Sequence, residues 1–513
     1  MNLDLSTYGG LTLALLPELV LTGWAMVLLL VVAWRHRTPG DLRVAGWIAL
    51  AAVVTTAGAV FWLWWHTARA TDPAAMIAVD DFRFISDWLF LGAAGLTVLL
   101  SFEYLEREGL LVPEYYVLLL LGTAGMMLMA GGADLIVIFL GLELMSVAVY
   151  VLAAVDRKSP RGAEAGLKYF LLGAFASGFL LYGIALIFGA TGTTNLRLMA
   201  LQIGLLDLAG HPLLLAGTGL LLIGFGFKVA AVPFHQWAPD VYDGSPTPVA
   251  GYMATAVKAA AFAALFRVLG EGLAQGGLWR EVVYWLAIAT MVAGNFTALA
   301  QRSLKRMLAY SSVAHAGYLL AAVATGSPAG AAAFIFYLVA YTLMTLGAFA
   351  VLAAKGRRGE SDVLIDDLAG LNARRPWLAF LMALCMLSLL GFPPTAGFFG
   401  KWYVLAATVE AGQGLLATIV VLTSVVSAGY YLPVIMAMYM RPEPGPDAHV
   451  GVQVGGLARA ALAAAAAGLI GFGLLPSGLL DLSRQGGSAI HSGATAARTA
   501  PAAAAPAPPP AAR

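Results

Sequence analysis

Apolar runs of about twenty residues follow one another from Leu11 almost to the C-terminus, and about twenty residues in a helix cover the hydrocarbon core of a bilayer. The runs fall near 11–34, 43–66, 84–102, 114–131, 133–155, 164–190, 211–243, 246–268, 281–300, 306–325, 329–354, 377–411, 414–440 and 456–480. With 60% hydrophobic and 11% charged residues, the 513-residue chain reads as an all-α polytopic membrane protein of about fourteen transmembrane helices. The first run is too long for the core of a cleaved leader and no basic residue precedes it, so it reads as the first span. A net charge of +1 argues against nucleic acid as a partner. The single cysteine, Cys385, lies in an apolar run and offers neither a disulfide framework nor a metal site.

Basic residues set the orientation. Seventeen lie in loops after odd-numbered spans, from Arg35 to Arg459, against five in the other loops: Arg69, Arg83, Arg197, Arg267 and Arg280. The odd loops are therefore expected in the cytoplasm, with both termini on the outer side of the membrane. Four lysines are left over within predicted spans: Lys168, Lys228, Lys258 and Lys401. Of the acidic residues, Glu143 in "LIVIFLGLELMSVAVY" is expected to sit deepest, while Glu18, Asp87 and Asp134 near span ends read as interfacial or capping groups. Trp62, Trp64, Trp65 and Trp402 read as interface or packing aromatics.

Two spans are too long for one straight crossing and contain prolines. The seventh is interrupted by "VPFHQWAP" and the twelfth by "GFPPTAGF". Each is fourth in a set of five spans, so an inverted repeat is expected, helices 4–8 against helices 9–13, with helices 7 and 12 discontinuous. The corresponding divisions are 1–110 for the first three helices, 111–270 and 271–440 for the two repeats, 441–482 for a loop and helix 14, and 483–513 for a disordered Ala/Pro-rich tail.

Burial strips an ammonium of its hydration and penalises its charged form, which a nearby carboxylate reverses, so a buried Glu–Lys pair can load and unload a proton. Lysine suits this better than arginine, which stays charged. Freed backbone groups at the two breaks mark places where water can reach the midplane, and Gly224, Gly226, Gly391, Gly397 and Gly400 allow close packing around them. The structural alternatives are definite ones. Lys168 is near a span end and reads equally as a side chain that snorkels to the interface; His315 reads equally as a satisfied core histidine or a proton relay. The other intramembrane histidine, His235, follows a break, and the two do not form the facing pair that haem requires.

Five runs in order, "LIVIFLGLELMSVAVYVL", "GLKYFLLGAFASGFLLYG", "KVAAVPFHQWAPDVYDGSPTPVAGYMATAVKAAAF", "LKRMLAYSSVAHAGYLL" and "GFPPTAGFFGKWYV", resemble the N-type membrane subunits of bacterial proton-pumping NADH:quinone oxidoreductase, respiratory complex I, within the antiporter-like subunit family. The resemblance covers spans four to thirteen. It implies a proton-translocating subunit of an enzyme complex, with Glu143 and Lys228 as the input pair, Lys258 as the central relay, Lys401 as the exit, and Lys168 and His315 as further relay positions. It implies no cofactor in this chain, with FMN, iron–sulfur clusters, NADH and quinone used by other parts of the complex. The implied partners are the M- and K-type neighbours, the lateral helix of the L-type subunit and the lipid bilayer. Lysine at position 401 and the lack of a lateral helix separate the chain from the M- and L-type subunits. Two other readings remain: a subunit of a multi-subunit sodium/proton antiporter, and a scaffold whose buried charges only hold helices together.

Overall fold

The computed structural model describes the chain except for residues 35–37, 68, 72–74, 276, 356–363, 443–453 and 500–513. Several basic loop residues used for the orientation, among them Arg35, Arg37, Arg357 and Arg358, and most of the 441–455 loop lie outside the described residues. The chain begins with strand β1 (Asn2–Asp4), the short helix α1 (Tyr8–Ala14) and the first span α2 (Leu16–Trp34). The second span is α3 (Pro39–His66), followed by strand β2 (Arg69–Thr71), which pairs in parallel with β1. Then come α4 (Asp81–Glu108), α5 (Glu114–Gly131), α6 (Leu135–Ala153) and α7 (Pro160–Thr191), spans three to six.

After the short α8 (Leu196–Leu205), the seventh span is split into α9 (Pro212–Val229) and α10 (Trp237–Gly244). The eighth runs from Thr247 to Gly272 as α11 (Thr247–Tyr252) and α12 (Lys258–Arg267), with π turns at Met253–Val257 and Val268–Gly272. Spans nine to eleven are α13 (Leu278–Leu299), α14 (Leu304–Ala324) and α15 (Pro328–Lys355). A short α16 (Leu371–Arg374) precedes the split twelfth span, α17 (Pro376–Leu390) and α18 (Ala396–Glu410). Spans thirteen and fourteen are α19 (Gly414–Met440) and α20 (Gly456–Leu474), and α21 (Pro476–Thr499) ends the described chain.

Among the described residues thirteen helices are long and apolar enough to cross a membrane, and the twelfth crossing is made by two 15-residue halves. The fold is thus an all-α polytopic membrane protein, as the run lengths imply. Helix ends follow local chemistry. Thr38 and Asp41 form a reciprocal capping box at the start of α3, and Ser159 and Ser303 cap α7 and α14 through their hydroxyls. Asp134 caps α6 by accepting from Ile136 N at 2.8 Å and holds Thr194 Oγ1 at 2.7 Å, the capping role expected of it.

Burial divides the spans. Every residue in the apolar window of the eighth is buried, as are nearly all in the tenth and eleventh, whereas α2 and α19 bury about a third or less. The less buried spans therefore lie at the periphery, and α12, α14 and α15 form the core.

Two expectations are corrected. The described part of the tail is not irregular: α21 continues to Thr499, with Ser483 and Ile490 buried, while the Ala/Pro-rich residues 500–513 lie outside the described residues. Gly486 and Gly487 let it lie close to Ile335 and Ala331 of α15, and Ile490 packs over Gly270, so tertiary contact stabilises a helix that composition alone does not favour. Arg83 and Arg267 are not loop residues but fully buried side chains on α4 and α12, held by ion pairs that a hydropathy census cannot see. Glu143 is half-buried, whereas Asp87 is 0% and Glu271 1% exposed, so the acidic side chain at mid-span in α6 is less enclosed by protein than these two.

Candidate functional site

The two breaks expose the carbonyl end of a half-helix inside the protein. In the first, α9 stops with Ala230 in the left-handed region (φ 58°). The Trp237 indole N–H donates at 2.9 Å to the Phe227 carbonyl, which also accepts from Ala230 N, and Thr290 Oγ1 of α13 accepts from Val232 N at 3.0 Å. In the second, α17 ends at Gly391 (φ 90°), a conformation that favours glycine. Gly397 N donates to Ser388 Oγ at 3.1 Å, and a Cβ at Gly397 would run into the Ser388 carbonyl oxygen.

Lys228 lies in the last turn of α9, 2% exposed. Its Nζ donates to Ser146 Oγ at 2.7 Å and Tyr150 Oη at 3.0 Å, both on α6, and stands 5.2 Å from the centre of the Tyr150 ring. Glu143 is on the same stripe of α6, three residues before Ser146 and seven before Tyr150. It makes no ion pair with Lys228 among the described residues, and its buried Oε1 has no hydrogen-bond partner. The pair implied by the family resemblance is therefore open in this structure, with two hydroxyls in place of the carboxylate.

Lys258 follows the π turn of the eighth span and is 1% exposed. Its Nζ donates to the carbonyl and hydroxyl oxygens of Ser312 at 2.9 and 2.8 Å. One turn along the same helix, α14, His315 has Nδ1 2.6 Å from Tyr337 Oη and Nε2 3.0 Å from Tyr431 Oη. Tyr431 Oη also bonds Ser311 Oγ, next to Ser312. A neutral imidazole has one donor and one acceptor nitrogen, so one tyrosine donates to His315 and the other accepts from it. Passing a proton through the ring exchanges those roles.

Lys401, on α18, reaches back to the carbonyl end of α17. Its Nζ donates to Leu390 O at 3.0 Å and stands 4.9 Å over the Tyr318 ring, which meets the His315 ring edge-on at 5.6 Å. Tyr318 Oη continues to Thr423 Oγ1 at 3.2 Å, and Asn295 links it to Tyr430.

The structure thus brings Lys258, His315 and Lys401 into one buried group and sets Lys228 apart from it. Lys168 is different again: half-exposed, it pairs with Glu164 at 2.6 Å and Asp240 at 3.0 Å, and Asp240 also holds Arg306 at 2.8 Å. That surface network fits the interfacial reading. His235 lies half-buried in the first break with its ring 6.4 Å from Tyr310. Ser146, Tyr150, Ser312, Tyr337 and Tyr431 were not singled out from the sequence. The spacing of Ser311, Ser312 and His315 in "AYSSVAHAGY" is a polar stripe at helical period and was the available signal. Among the described residues no three His, Cys, Asp or Glu side chains gather as a metal site would require.

Residues 132–427 match the family model described as NADH:quinone oxidoreductase/Mrp antiporter, transmembrane. NADH-quinone oxidoreductase subunit N 2 of Roseiflexus castenholzii is 46% identical over 90% of this chain and 94% of its own length. A chain of respiratory complex I from Thermus thermophilus with bound aureothin superposes with a TM-score of 0.76 at 38% identity, covering 91% of this chain and 100% of that one. A chain of the Mrp complex from Dietzia sp. shares the fold, with a TM-score of 0.80 at 23% identity, covering 94% of this chain and 99% of that one. The chain belongs to the family of NADH:quinone oxidoreductase and Mrp antiporter transmembrane subunits, on its subunit N branch.

Proposed function

We propose that this chain is a proton-translocating subunit in the membrane arm of an NADH:quinone oxidoreductase, and that Lys258, His315 and Lys401 form the central and exit part of its proton path. The observation that carries the path is the group around α14: a buried ammonium on Ser312; beginning at the neighbouring residue, a hydrogen-bonded series of Ser311, Tyr431, His315 and Tyr337; and Lys401 over the Tyr318 ring that meets His315 edge-on. Lysine and imidazole can both give up and regain a proton, and the tyrosine and serine hydroxyls both donate and accept, so each member can hand a proton on. Lys228, held by Ser146 and Tyr150, is the input group; Glu143 on the same face of α6 is the carboxylate it can turn to, and the open pair is one state of that switch.

Oxidation of NADH and reduction of quinone, with the FMN and iron–sulfur chemistry they need, take place in other subunits. Their energy reaches this chain by biasing the Lys228 switch. The two sets of five crossings, each with its fourth crossing broken, are read as inverted repeats joined at Lys258. The excess of basic residues in the odd loops places both termini on the periplasmic side of the cytoplasmic membrane, with M- and K-type subunits and the L-type lateral helix as neighbours. High identity to subunit N over nearly the whole chain favours this reading over a sodium/proton antiporter subunit.

The test is Lys258→Met in the assembled complex, with NADH-driven quinone reduction and the proton-to-electron ratio as readouts. The expected outcome is a normal content of assembled complex with a lowered ratio. An unchanged ratio at normal assembly removes Lys258 from the path.

A further inference from the structure

A second group of buried charges lies outside the lysine path, where the N-terminal end of α4 meets α2, α12 and the π turn at Val268–Gly272. Arg83, 0% exposed, donates through Nη2 to both Glu18 oxygens at 2.7 and 2.9 Å and to Ala14 O at 2.8 Å, and through Nη1 to Ala78 O at 3.0 Å. Arg267, also 0% exposed, donates to Asp80 through Nη1 and Nη2 at 2.8 and 2.9 Å, to Glu271 Oε1 at 2.6 Å and to Ala130 O at 2.9 Å. Arg197 stands at the rim, 4.0 Å from Glu271 and partly exposed.

Asp87 is one turn along α4 from Arg83 and is 0% exposed. Neither of its oxygens makes a hydrogen bond. Its nearest cation is Arg83 Nε at 3.6 Å, which makes no hydrogen bond either. Four carboxyl groups, Glu18, Asp80, Asp87 and Glu271, thus face three guanidinium groups; Glu18, Asp80 and Glu271 each accept from one, and the remaining bonded Arg83 and Arg267 donors go to the carbonyls of Ala14, Ala78 and Ala130, so Asp87 is the carboxyl that receives none. A buried carboxylate with no donor is far costlier than a neutral carboxylic acid in the same place. Glu18 and Asp87 flank one guanidinium from different helices, the arrangement in which like charges keep one proton between them.

We propose that Glu18 and Asp87 together hold one exchangeable proton, which rests on Asp87 while Arg83 is bound to Glu18 and moves to Glu18 when Arg83 swings to Asp87. In that exchange the O–H bond on Asp87 breaks and one forms on Glu18, the Arg83 guanidinium remains charged throughout, and the net charge of the group does not change. Asp80, Arg267, Glu271 and Arg197 hold the surrounding field fixed. The pair is a proton-binding site separate from the lysines, and only its part in translocation rests on the function proposed above.

The experiment uses the assembled complex with Asp87→Asn, a neutral isostere of the protonated acid, and infrared difference spectra between neutral and alkaline buffer. The expected result is wild-type assembly and the loss of one carboxylic-acid C=O band. A band pattern identical to wild type, or an Asp87→Asn complex that fails to assemble while Glu18→Gln keeps that band, overturns the proposal by making Asp87 an ionised structural partner or no proton holder at all. Glu18→Gln is the second variant: with Glu18 neutral, Arg83 passes to Asp87 and the same band disappears. Failure of the translocation reading shows elsewhere, as an unchanged proton-to-electron ratio in Lys258→Met, which leaves the Asp87 band in place.

Discussion

The two broken spans hold their lysines by opposite means. Lys228 belongs to the half-helix that ends at the first break, and its ammonium turns sideways to two hydroxyls of α6. Lys401 belongs to the half-helix that begins after the second break, and it reaches across to Leu390 O, the last residue of the preceding half. Both charges end up beside the carbonyl end of the first half-helix, where a helix dipole favours a cation. One is held by side chains that another rotamer can release, whereas the other is held by backbone that no rotamer moves. The first ammonium is thus held by movable hydroxyls and the second by a fixed helix end.

The most disruptive way to separate the two breaks is through their glycines. Gly397→Ala forces a Cβ into the Ser388 carbonyl, so loss of assembled complex is expected, measured as subunit content of purified membranes; Gly226→Ala meets only the Phe234 ring, which can turn, and should assemble. Next in size is the joint between the halves. Ser312→Ala removes one of the two acceptors of the buried Lys258 ammonium, and a hydrogen bond to a charged group contributes about 1.5–3 kcal/mol. If the bond is kept through the rate-limiting transfer, the expected fall in pumping is at least about tenfold, read as the initial rate of NADH-driven proton uptake. A Ser312→Thr variant, which keeps the hydroxyl, should recover most of it.

The hydroxyl cradle gives the sharpest contrast. Ser146→Ala with Tyr150→Phe frees Lys228 from both acceptors and should lower pumping by about the same factor, whereas Tyr318→Leu beside Lys401 removes a ring contact of about 0.5–2 kcal/mol and leaves the Leu390 carbonyl in place. Equal losses in the two variants would mean that the breaks hold their charges alike. The smallest expected effect is that of Trp237→Phe. It removes one donor to the Phe227 carbonyl, about 1 kcal/mol, and should lower the thermal midpoint of the complex slightly with little change in rate.

Much of the architecture was legible because the bilayer sets a length and proline a breaking rule. Runs of about twenty apolar residues gave the crossings, and "VPFHQW" and "GFPPTAGF" the breaks, since a proline has no N–H to continue the ladder. The lysines stood out because an ammonium in an apolar run has no cheap explanation. Arg83 and Arg267 were misplaced by the same rule, since a charge near the end of a run looks like a loop residue until its partners are known. Glu18 and Asp80 lie 65 and 187 positions away from them, and no local pattern reports that. The tail was misread for a related reason: small residues and glycines give a weak helix signal alone, but they fit a close groove against α15.

By itself, then, the sequence determined that this chain crosses a membrane about fourteen times, is broken at two comparable places and carries four lysines within its spans, three of which the structure buries. It did so because hydrophobic length, proline chemistry and the cost of a buried ion are properties of local segments. Only the tertiary structure decided that Lys228 rests on Ser146 and Tyr150 rather than on Glu143, that Lys258 rests on Ser312 one turn from His315, and that Asp87 is left without a donor. Those choices depend on which faces of distant helices meet, and a hydrogen bond forms only where packing brings a donor within about 3 Å of an acceptor.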